Sequence, residues 1–402
     1  MKIVLAYSGG LDTSYCVRYL SASEGWEVHA VTVNTGGFRQ TEAAAMGERA
    51  LALGASTYHC IDAVQDYYDQ CLRFLIYGNV LRNNTYPLSV SAERMFQAVA
   101  IANHARDIGA DAIAHGSTGA GNDQVRFDLA FQVLCPDMKI ITPIRDRRLS
   151  RDEEVAYLRD HGFEWSESKA RYSINKGIWG TSVGGAETLR PDLTLPDSAY
   201  PTPVTAVGER TVTLTFEKGA LVGVDDRRFP HPTEAIDALQ ELAGPFGIGR
   251  DIHVGDTIIG IKGRVGFEAA APLVILKAHH LLEKHTLGKW QQYWKEQLAN
   301  WYGMMLHEAL FLDPVMRNIE AFLADTQHRV SGKVFVRLEP KRFELIGVDA
   351  PYDMMRSDAG QYGEMNNGWS GEDVRGFTRI LGNQLKIYHA FPPVPTDTKQ
   401  QP

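Results

Sequence analysis

The chain has 402 residues, of which 44% are hydrophobic and 22% are charged. This is the composition of an ordinary globular protein, and it excludes a disordered, collagen-like or coiled-coil class. The length is sufficient for two or three domains. The formal net charge of -8 disfavours a large basic surface for nucleic acid.

The first part of the chain alternates between strand-like and helix-like segments. The apolar run at residues 2–7 predicts a buried strand, and further strands are predicted at residues 27–33, 56–60, 111–115 and 139–144. Helices are predicted at residues 11–20, 41–53 and 90–108. Another is predicted to begin at about residue 62, and a further one to follow the S-x-x-E capping box of Ser150 and Glu153. This alternation predicts a Rossmann-like α/β domain at residues 1–165, with a parallel sheet and ligands beyond the carboxyl ends of its strands.

The second part of the chain has a mixed α+β pattern, which predicts another domain at residues 166–362. Strands are predicted at residues 211–216, 333–338 and 343–348, helices at residues 235–242, 274–287 and 290–312, and a connecting loop at residues 190–203. Residues 363–402 are predicted to form a C-terminal helical arm, with an amphipathic helix at 373–388 and a disordered tail. The first apolar run is too short for a signal peptide, and no segment approaches transmembrane length, so we expect a cytoplasmic protein that binds no membrane.

The first chemical motif is the run Ser8-Gly9-Gly10-Leu11-Asp12-Thr13-Ser14, directly after the first predicted strand. The two glycines allow a tight turn and close approach of the backbone to a ligand. The following helix presents unpaired N–H groups, and the hydroxyls add donors, so the run predicts a phosphate site. It is neither a Walker A loop nor a dinucleotide fingerprint. The alternative is a simple helix-start turn with Asp12 as an ordinary first-turn acid.

The second motif, AHGSTGAGNDQVRF, occupies residues 114–127 and begins at the end of another predicted strand. Asp123 can hold an ammonium group, Asn122 and Thr118 can bind a carboxylate, and Arg126 can bind a carboxylate bidentately. This set suits amino-acid zwitterions. The alternative is a helix that begins at Asn122 with solvated charges behind it.

The first motif resembles the PP-loop of the N-type ATP pyrophosphatases. With the second motif, it closely resembles the argininosuccinate synthases within that superfamily. Three further strings resemble segments of the same family in the same order: RNNTYPLSVSAER at residues 82–94, ARYSINKGIWG at 170–180 and IGIKGRVGFE at 259–268. The resemblance spans nearly the whole chain and implies a nucleotide domain, a synthetase domain, a C-terminal arm and a homotetramer.

The resemblance also implies a reaction: citrulline, ATP and aspartate give argininosuccinate, AMP and pyrophosphate, with Mg²⁺ held through the nucleotide phosphates. The positions that match ATP-binding positions are Ala6, Tyr7, Ser8, Gly9, Gly10, Leu11, Asp12, Thr13, Ser14, Val33 and Gly116. Those that match aspartate-binding positions are Thr118, Asn122 and Asp123, and those that match citrulline-binding positions are Tyr86, Ser91, Asn122, Arg126, Ser173 and Ser182. Asp12, Asp123 and Arg126 are the predicted catalytic residues. No strong general base is evident, although His115 is a possible proton acceptor.

Four departures from the family pattern are concentrated near the predicted acceptor site. Ala120 stands where the family usually has lysine, and Gly184 stands at a family acid. Gly255 and Phe267 replace a glutamate and a tyrosine that touch citrulline in the family. Losing such groups removes partners from buried polar atoms of a substrate. These positions leave open an acceptor other than citrulline, either another ureido compound or a carboxylate.

Three other functional classes compete with this interpretation. A glutamine-dependent amidotransferase needs a nucleophilic cysteine in an amidase domain, for which the sequence has no clear context. A PP-loop enzyme that modifies tRNA is disfavoured by the acidic charge and by the absence of a C-x-x-C pair among the four cysteines. A non-catalytic relative that binds nucleotide remains the third alternative. We therefore expect small-molecule substrates and no nucleic-acid partner.

Overall fold

The computed structural model describes residues 1–165, 171–358, 360, 362–364 and 368–392. Ala170, at the start of the string at residues 170–180, and residues 393–402 of the predicted tail lie outside these ranges. The chain divides into two compact units, at residues 1–352 and 353–402. Within the described residues, we find no helix with the length and apolar character needed to cross a membrane.

The first unit begins with a five-stranded parallel sheet in the order β3-β2-β1-β4-β5. Its strands are β1 (Lys2–Ala6), β2 (Glu27–Asn34), β3 (Thr57–Asp62), β4 (Ala112–His115) and β5 (Lys139–Ile141). The helices between and after them are α1 (Leu11–Arg18), α2 (Gln40–Ala52), α3 (Val64–Tyr67), α4 (Arg73–Tyr77), α5 (Ser89–Asp107), α6 (Asp123–Leu134), α7 (Pro143–Arg147) and α8 (Arg151–Asp160), with π-helical turns at Tyr19–Ser23 and Tyr68–Leu72. The predicted α/β class is confirmed.

Strand β1 is buried on both faces, because helices cover both sides of the sheet. Ile3 and Leu5 lie in one apolar core, whereas Val4 and Ala6 lie in the other. Successive side chains of a strand point to opposite faces, so a continuous apolar run is needed here. The predicted strand at residues 139–144 is shorter than expected, because Pro143 begins helix α7.

Two antiparallel sheets form the remainder of the first unit, in the orders β10-β9-β8-β13-β14 and β11-β12-β7-β6. Their strands are β6 (Ser173–Gly177), β7 (Gly180–Gly184), β8 (Arg210–Glu217), β9 (Ala220–Val224), β10 (Arg227–Arg228), β11 (Arg250–Asp256), β12 (Lys262–Glu268), β13 (Gly332–Glu339) and β14 (Arg342–Asp349). The helices are α9 (Pro232–Ala243), α10 (Ala270–Thr286), α11 (Lys289–His307) and α12 (Pro314–Thr326), with 3-10 turns at Ala186–Leu189, Asp197–Ala199, Gly244–Phe246 and Gln327–Arg329.

The four-stranded sheet is absent from the sequence-based prediction. Glycines at residues 177, 180, 184, 255, 263 and 266 interrupt the apolar alternation of its strands. Glycine is depleted in strands generally, so such segments resemble loops when they are read one at a time. Pairing between β7 and β12 joins segments about 80 residues apart in sequence, and this tertiary contact stabilises them as strands.

The second unit contains helices α13 (Gly371–Leu381) and α14 (Asn383–Ala390). The single helix predicted at residues 373–388 is therefore two helices with a break at Gly382. Ser370 caps α13, because its hydroxyl accepts the N–H of Asp373 at 3.2 Å. No residue of either helix is buried among the described residues.

Candidate active site

The candidate site lies where the strand order of the parallel sheet reverses, at the carboxyl ends of β1 and β4. The first motif follows β1 and the second follows β4, and parallel neighbours bring the two loops to one edge of the sheet. A cavity of about 720 Å³ opens there. Its wall includes the following predicted nucleotide residues: Ala6, Tyr7, Ser8, Gly10, Leu11, Asp12, Thr13, Val33 and Gly116.

The loop after β1 has the geometry of a phosphate site. Gly9 has a φ of 73°, a left-handed conformation that favours glycine, and a Cβ atom there would lie 2.9 Å from Met46 Cγ. The hydroxyls of Ser8 and Thr13 are 3.2 Å apart. Arg49 Nη1 donates to the Gly9 carbonyl at 3.0 Å, which holds the turn in place. The first N–H groups of α1 have no carbonyl acceptor within the helix and remain available to an anion.

Two predicted nucleotide residues do not form part of the cavity wall. Gly9 lies in the turn but does not line the cavity, and Ser14 is fully buried. The Ser14 hydroxyl makes no hydrogen bond to any residue that the structure describes. Val33 lines the cavity, and its carbonyl accepts from Gln97 Nε2 at 3.5 Å.

The loop after β4 packs directly on the phosphate loop. A Cβ atom at Gly116 would lie 3.1 Å from Thr13 Cγ2, so residue 116 has little room for a side chain. His115 is almost completely buried. Its Nδ1 accepts the N–H of Ser117 at 3.2 Å, which leaves Nε2 to donate to Asp128 Oδ1 at 2.9 Å. Both ring nitrogens are engaged, so His115 orients the loop and is poorly suited to act as a general base.

A second cavity of about 270 Å³ adjoins the first, and Gly121 and Asp123 line both. Its wall includes five predicted acceptor residues: Tyr86, Ser91, Asn122, Arg126 and Ser182. Ser173 is the exception, because it is exposed on β6 and lines the larger cavity. Thr118 also lines the larger cavity. The sequence motifs therefore converge on two adjoining cavities.

Arg126 is the central cation of the smaller cavity and is 3% exposed. Its guanidinium donates to Asp123 Oδ1 at 3.0 Å, Ser91 Oγ at 3.0 Å and the His307 carbonyl at 3.2 Å. Its Nε has no hydrogen-bond partner among the described residues. Burial lowers the pKa of Arg126, and the Asp123 carboxylate opposes that shift.

Asn122 precedes helix α6, but its side chain does not cap the helix. Its Oδ1 instead accepts the N–H of Ile258 at 2.9 Å, in the loop between β11 and β12. The amide oxygen thereby ties the second motif to the four-stranded sheet. Within the second motif, Gln124 Nε2 donates to the carbonyls of Gly119 and Gly121 at 2.7 and 3.2 Å. These bonds fix the loop that carries the predicted aspartate residues.

The sequence analysis missed a buried charged group on helix α5. Arg94 donates to Asp123 Oδ2 at 3.3 Å, Asn175 Oδ1 at 2.7 Å and Glu93 Oε1 at 3.3 Å. Glu93 is 4% exposed, and burial raises the pKa of its carboxyl group. Both residues stand at the end of the string at 82–94, but charges on a long helix are usually solvated. Only the packing of α5 against β6 and β7 reveals that they form the wall of the larger cavity.

The four departures from the family pattern have different surroundings. Ala120 is exposed in the loop after β4, and a Cβ atom at Gly184 would meet no atom within 4 Å. Phe267 is fully buried, with its ring centroid 5.4 Å from that of Tyr86. Gly255 lies on the wall of the smaller cavity. Two of the departures therefore touch the candidate acceptor cavity or its aromatic wall.

Comparison with known proteins agrees with this geometry. The model of the "Arginosuccinate synthase N-terminal HUP domain" matches residues 2–164, and that of the "Arginosuccinate synthase C-terminal domain" matches residues 172–388. The chain belongs to the argininosuccinate synthase family. It is an enzyme of that family, an ATP-dependent carbon–nitrogen ligase.

Individual relatives cover nearly the full length of the chain. The argininosuccinate synthase of Methanocaldococcus jannaschii is 34% identical over 388 residues, which are 96% of this chain and 97% of the relative. That of Sulfolobus acidocaldarius is 34% identical over 95% of this chain and 97% of its own length. That of Xanthomonas campestris pv. campestris is 34% identical over 96% of this chain and 98% of its own length.

Proposed function

We propose that the chain joins L-aspartate to L-citrulline through a citrullyl-AMP intermediate and releases argininosuccinate, AMP and pyrophosphate. The observation that carries this proposal is the junction of the two cavities at Gly121 and Asp123. ATP in the larger cavity and a ureido acceptor in the smaller one would meet at this junction. Proximity and orientation of this kind contribute much of the rate enhancement in such two-substrate reactions.

In the first step, the ureido oxygen attacks the α-phosphorus of ATP, the bond to the β-phosphate oxygen breaks, and pyrophosphate leaves. The turn at Ser8–Thr13 would hold the leaving pyrophosphate through backbone N–H groups and hydroxyls. The aspartate amine then attacks the activated ureido carbon and loses a proton, and AMP leaves with the former ureido oxygen. Atoms and charge balance without any oxidant or reductant.

The second motif would position the amino acids for these steps. Thr118 and Asn122 would hold the carboxylates of aspartate, and Asp123 would orient its amine. Arg126 would hold the acceptor, with Tyr86, Ser91 and Ser182 forming the rest of its cavity. Ser173 remains a predicted acceptor residue, but its position on the larger cavity favours contact with the nucleotide side of the intermediate.

Mg²⁺ would be bound chiefly through the nucleotide phosphates, where it neutralises the charge that develops on pyrophosphate. Among the described residues, we find no group of three or more metal-ligating side chains. The carboxylate of Asp12 lies on the cavity wall at the phosphate turn. One carboxylate combined with substrate phosphates is a common donor set for Mg²⁺, and Asp12 fits it.

The proposed assembly is a homotetramer. Apolar side chains of the C-terminal helices are exposed, including Phe377, Ile380, Leu381 and Leu385. Helix α13 and helix α14 would bury these side chains against other copies of the chain. Sedimentation of the full chain and of a chain ending at residue 370 tests this: we expect a tetramer and a smaller species, respectively, and an unchanged mass would contradict the assignment.

The experiment that tests the function is pyrophosphate release from ATP with aspartate, measured with and without citrulline. We expect release that depends on both amino acids, with argininosuccinate and AMP formed in equal amounts. Excess EDTA should abolish release while leaving the urea midpoint of the ligand-free chain unchanged, because the proposed metal arrives with the nucleotide. ATP binding without any release would instead support a non-catalytic relative.

A further inference from the structure

The smaller cavity has a cation with an unused donor. Arg126 lines it, and its Nε has no hydrogen-bond partner among the described residues, whereas Arg82 does not line it and has its Nη1 3.8 Å from a Glu308 carboxylate oxygen. Arg264 also lines the cavity, but its guanidinium donates to the backbone carbonyls of Glu187, Arg190 and Leu193. The buried Arg126 guanidinium therefore has a donor to offer to a bound anion.

The carboxylates in and around this cavity are already paired. Asp123 accepts from Arg126 at 3.0 Å and from Arg94 at 3.3 Å. Asp256 lies 2.6 Å from Lys262 with a side chain that is 62% exposed. Glu308 lies 3.0 Å from His307 and 3.8 Å from Arg82. In the described part of the chain, the carboxylates that line the smaller cavity are Asp123, which the proposed function assigns to the aspartate amine, and Asp256, which is paired with Lys262, so neither is left for the ammonium group of the acceptor.

His253 lies beside Gly255 on the wall of the smaller cavity. His253 and Gly255 are two residues apart on β11, so both face the cavity. A Cβ atom at residue 255 would lie 2.6 Å from His253 Nε2, closer than real atoms approach. The imidazole is stacked on Tyr86, with ring centroids 5.2 Å apart and planes 22° apart. A side chain can be accommodated at position 255 only if the His253 imidazole moves.

Burial and the nearby Arg82 guanidinium lower the pKa of His253 to about 4. The imidazole is thus neutral near pH 7, and it makes no hydrogen bond to another described residue. A neutral ring offers one N–H donor and one acceptor to a ligand. It can hydrogen-bond a carboxylate or a neutral polar group, but it cannot compensate the charge of a desolvated ammonium group.

We infer that the smaller cavity also accepts ω-ureido carboxylates that lack an α-ammonium group, and that His253 is the residue that selects them. This inference rests on the proposed function, because the acceptor is activated by the same adenylation. The ureido oxygen attacks the α-phosphorus and pyrophosphate leaves. The aspartate amine then displaces AMP from the ureido carbon with loss of one proton, and the product is an N-substituted guanidino acid.

Three acceptors separate the contributions of carboxylate and ammonium: citrulline, 5-ureidopentanoate, which lacks the amine, and (4-aminobutyl)urea, which lacks the carboxylate. Aspartate-dependent pyrophosphate release by the full chain gives kcat/KM for each. We expect the value for 5-ureidopentanoate to fall within about tenfold of that for citrulline, and the value for (4-aminobutyl)urea to lie about 100-fold or more below that for citrulline. A value for 5-ureidopentanoate about 100-fold below that for citrulline would overturn the inference.

Two variants test the role of His253. His253→Ala should raise the KM for 5-ureidopentanoate about tenfold with little change in kcat, because a ground-state contact is lost. The double variant His253→Ala, Gly255→Glu places a carboxylate where the ring was, and the preference for citrulline over 5-ureidopentanoate should rise about tenfold or more. His328→Ala, at an exposed histidine, is the matched control. It should change neither the KM for 5-ureidopentanoate nor the preference between the two acceptors. If His253→Ala leaves KM unchanged, His253 does not select the acceptor.

The outcomes distinguish this inference from the proposed function. Release with citrulline alone would leave the proposed function intact and refute the inference. Release with neither acceptor, in a chain that binds ATP, would refute both. Release with both acceptors, together with a raised KM in the His253→Ala variant, would support both.

Discussion

Replacement of Arg126 by lysine tests the smaller cavity most directly. The guanidinium makes three hydrogen bonds, to Asp123, Ser91 and the His307 carbonyl. A lysine ammonium retains the charge but reaches only one of these acceptors well. A hydrogen bond from a charged donor contributes about 1.5–3 kcal/mol, so the loss of two lowers the free energy of unfolding by at least about 3 kcal/mol.

The same change should lower the kcat/KM of the acceptor by a larger factor than it weakens ATP binding. Arg126 does not line the larger cavity, so the Kd of ATP should change by less than about threefold. The kcat/KM of the acceptor should fall about 100-fold, because about 3 kcal/mol of lost transition-state contact corresponds to roughly that factor. Urea unfolding, ATP titration calorimetry and pyrophosphate release measure the three quantities.

The control for this variant is Arg342→Lys. The Arg342 side chain is 70% exposed and pairs with Glu339 at the surface, so stability should change by less than about 0.5 kcal/mol. The reasoning would be refuted if Arg126→Lys weakened ATP binding as much as it lowered the kcat/KM of the acceptor. It would also be refuted if the variant retained the stability of the parent chain.

Gly9→Ala should weaken ATP binding about tenfold or more, because the left-handed backbone and the 2.9 Å approach to Met46 both oppose a Cβ atom. The control is Gly109→Ala, at a glycine with a φ of 61° and open space around it, which should lower the stability of the chain without weakening ATP binding. His115→Asn should reduce kcat about tenfold and leave the shape of the pH–rate profile unchanged, since both nitrogens are engaged by Ser117 and Asp128; loss of a limb of the profile would make His115 a general base instead. Burial lowers the pKa of His253 to about 4 and that of His307 to about 3. Below about pH 6.5 these two histidines therefore bind protons in the unfolded chain but not yet in the folded chain. Their contribution to the free energy of unfolding is fully present above that pH and declines as the pH falls towards the folded pKa values. Urea midpoints from pH 7.5 to 5 should fall in the parent chain and fall less in a His253→Gln, His307→Gln variant, and equal slopes would contradict this account.

The sequence alone determined the features that depend on neighbouring residues. The phosphate turn at residues 8–14 is a strand, a glycine turn and a helix start in succession, and all three are encoded locally. The capping box of Ser150 and Glu153 is confirmed for the same reason, with the Ser150 N–H donating to Glu153 Oε2 at 2.8 Å. The parallel sheet follows from apolar runs that alternate with helices, and its carboxyl edge indicated which loops carry chemistry.

Only the tertiary structure decided how distant segments combine. The strands of the four-stranded sheet are rich in glycine and become recognisable when they pair, so the surroundings of Ser173 and Ser182 could not be read from spacing. Arg94 and Glu93 look like solvated helix charges until β6 and β7 cover them. The role inferred for His253 depends on Gly255 beside it on β11 and on Tyr86, against which its ring is stacked. Pairing, burial and close approach are properties of contacts between distant residues, and local sequence patterns do not contain them.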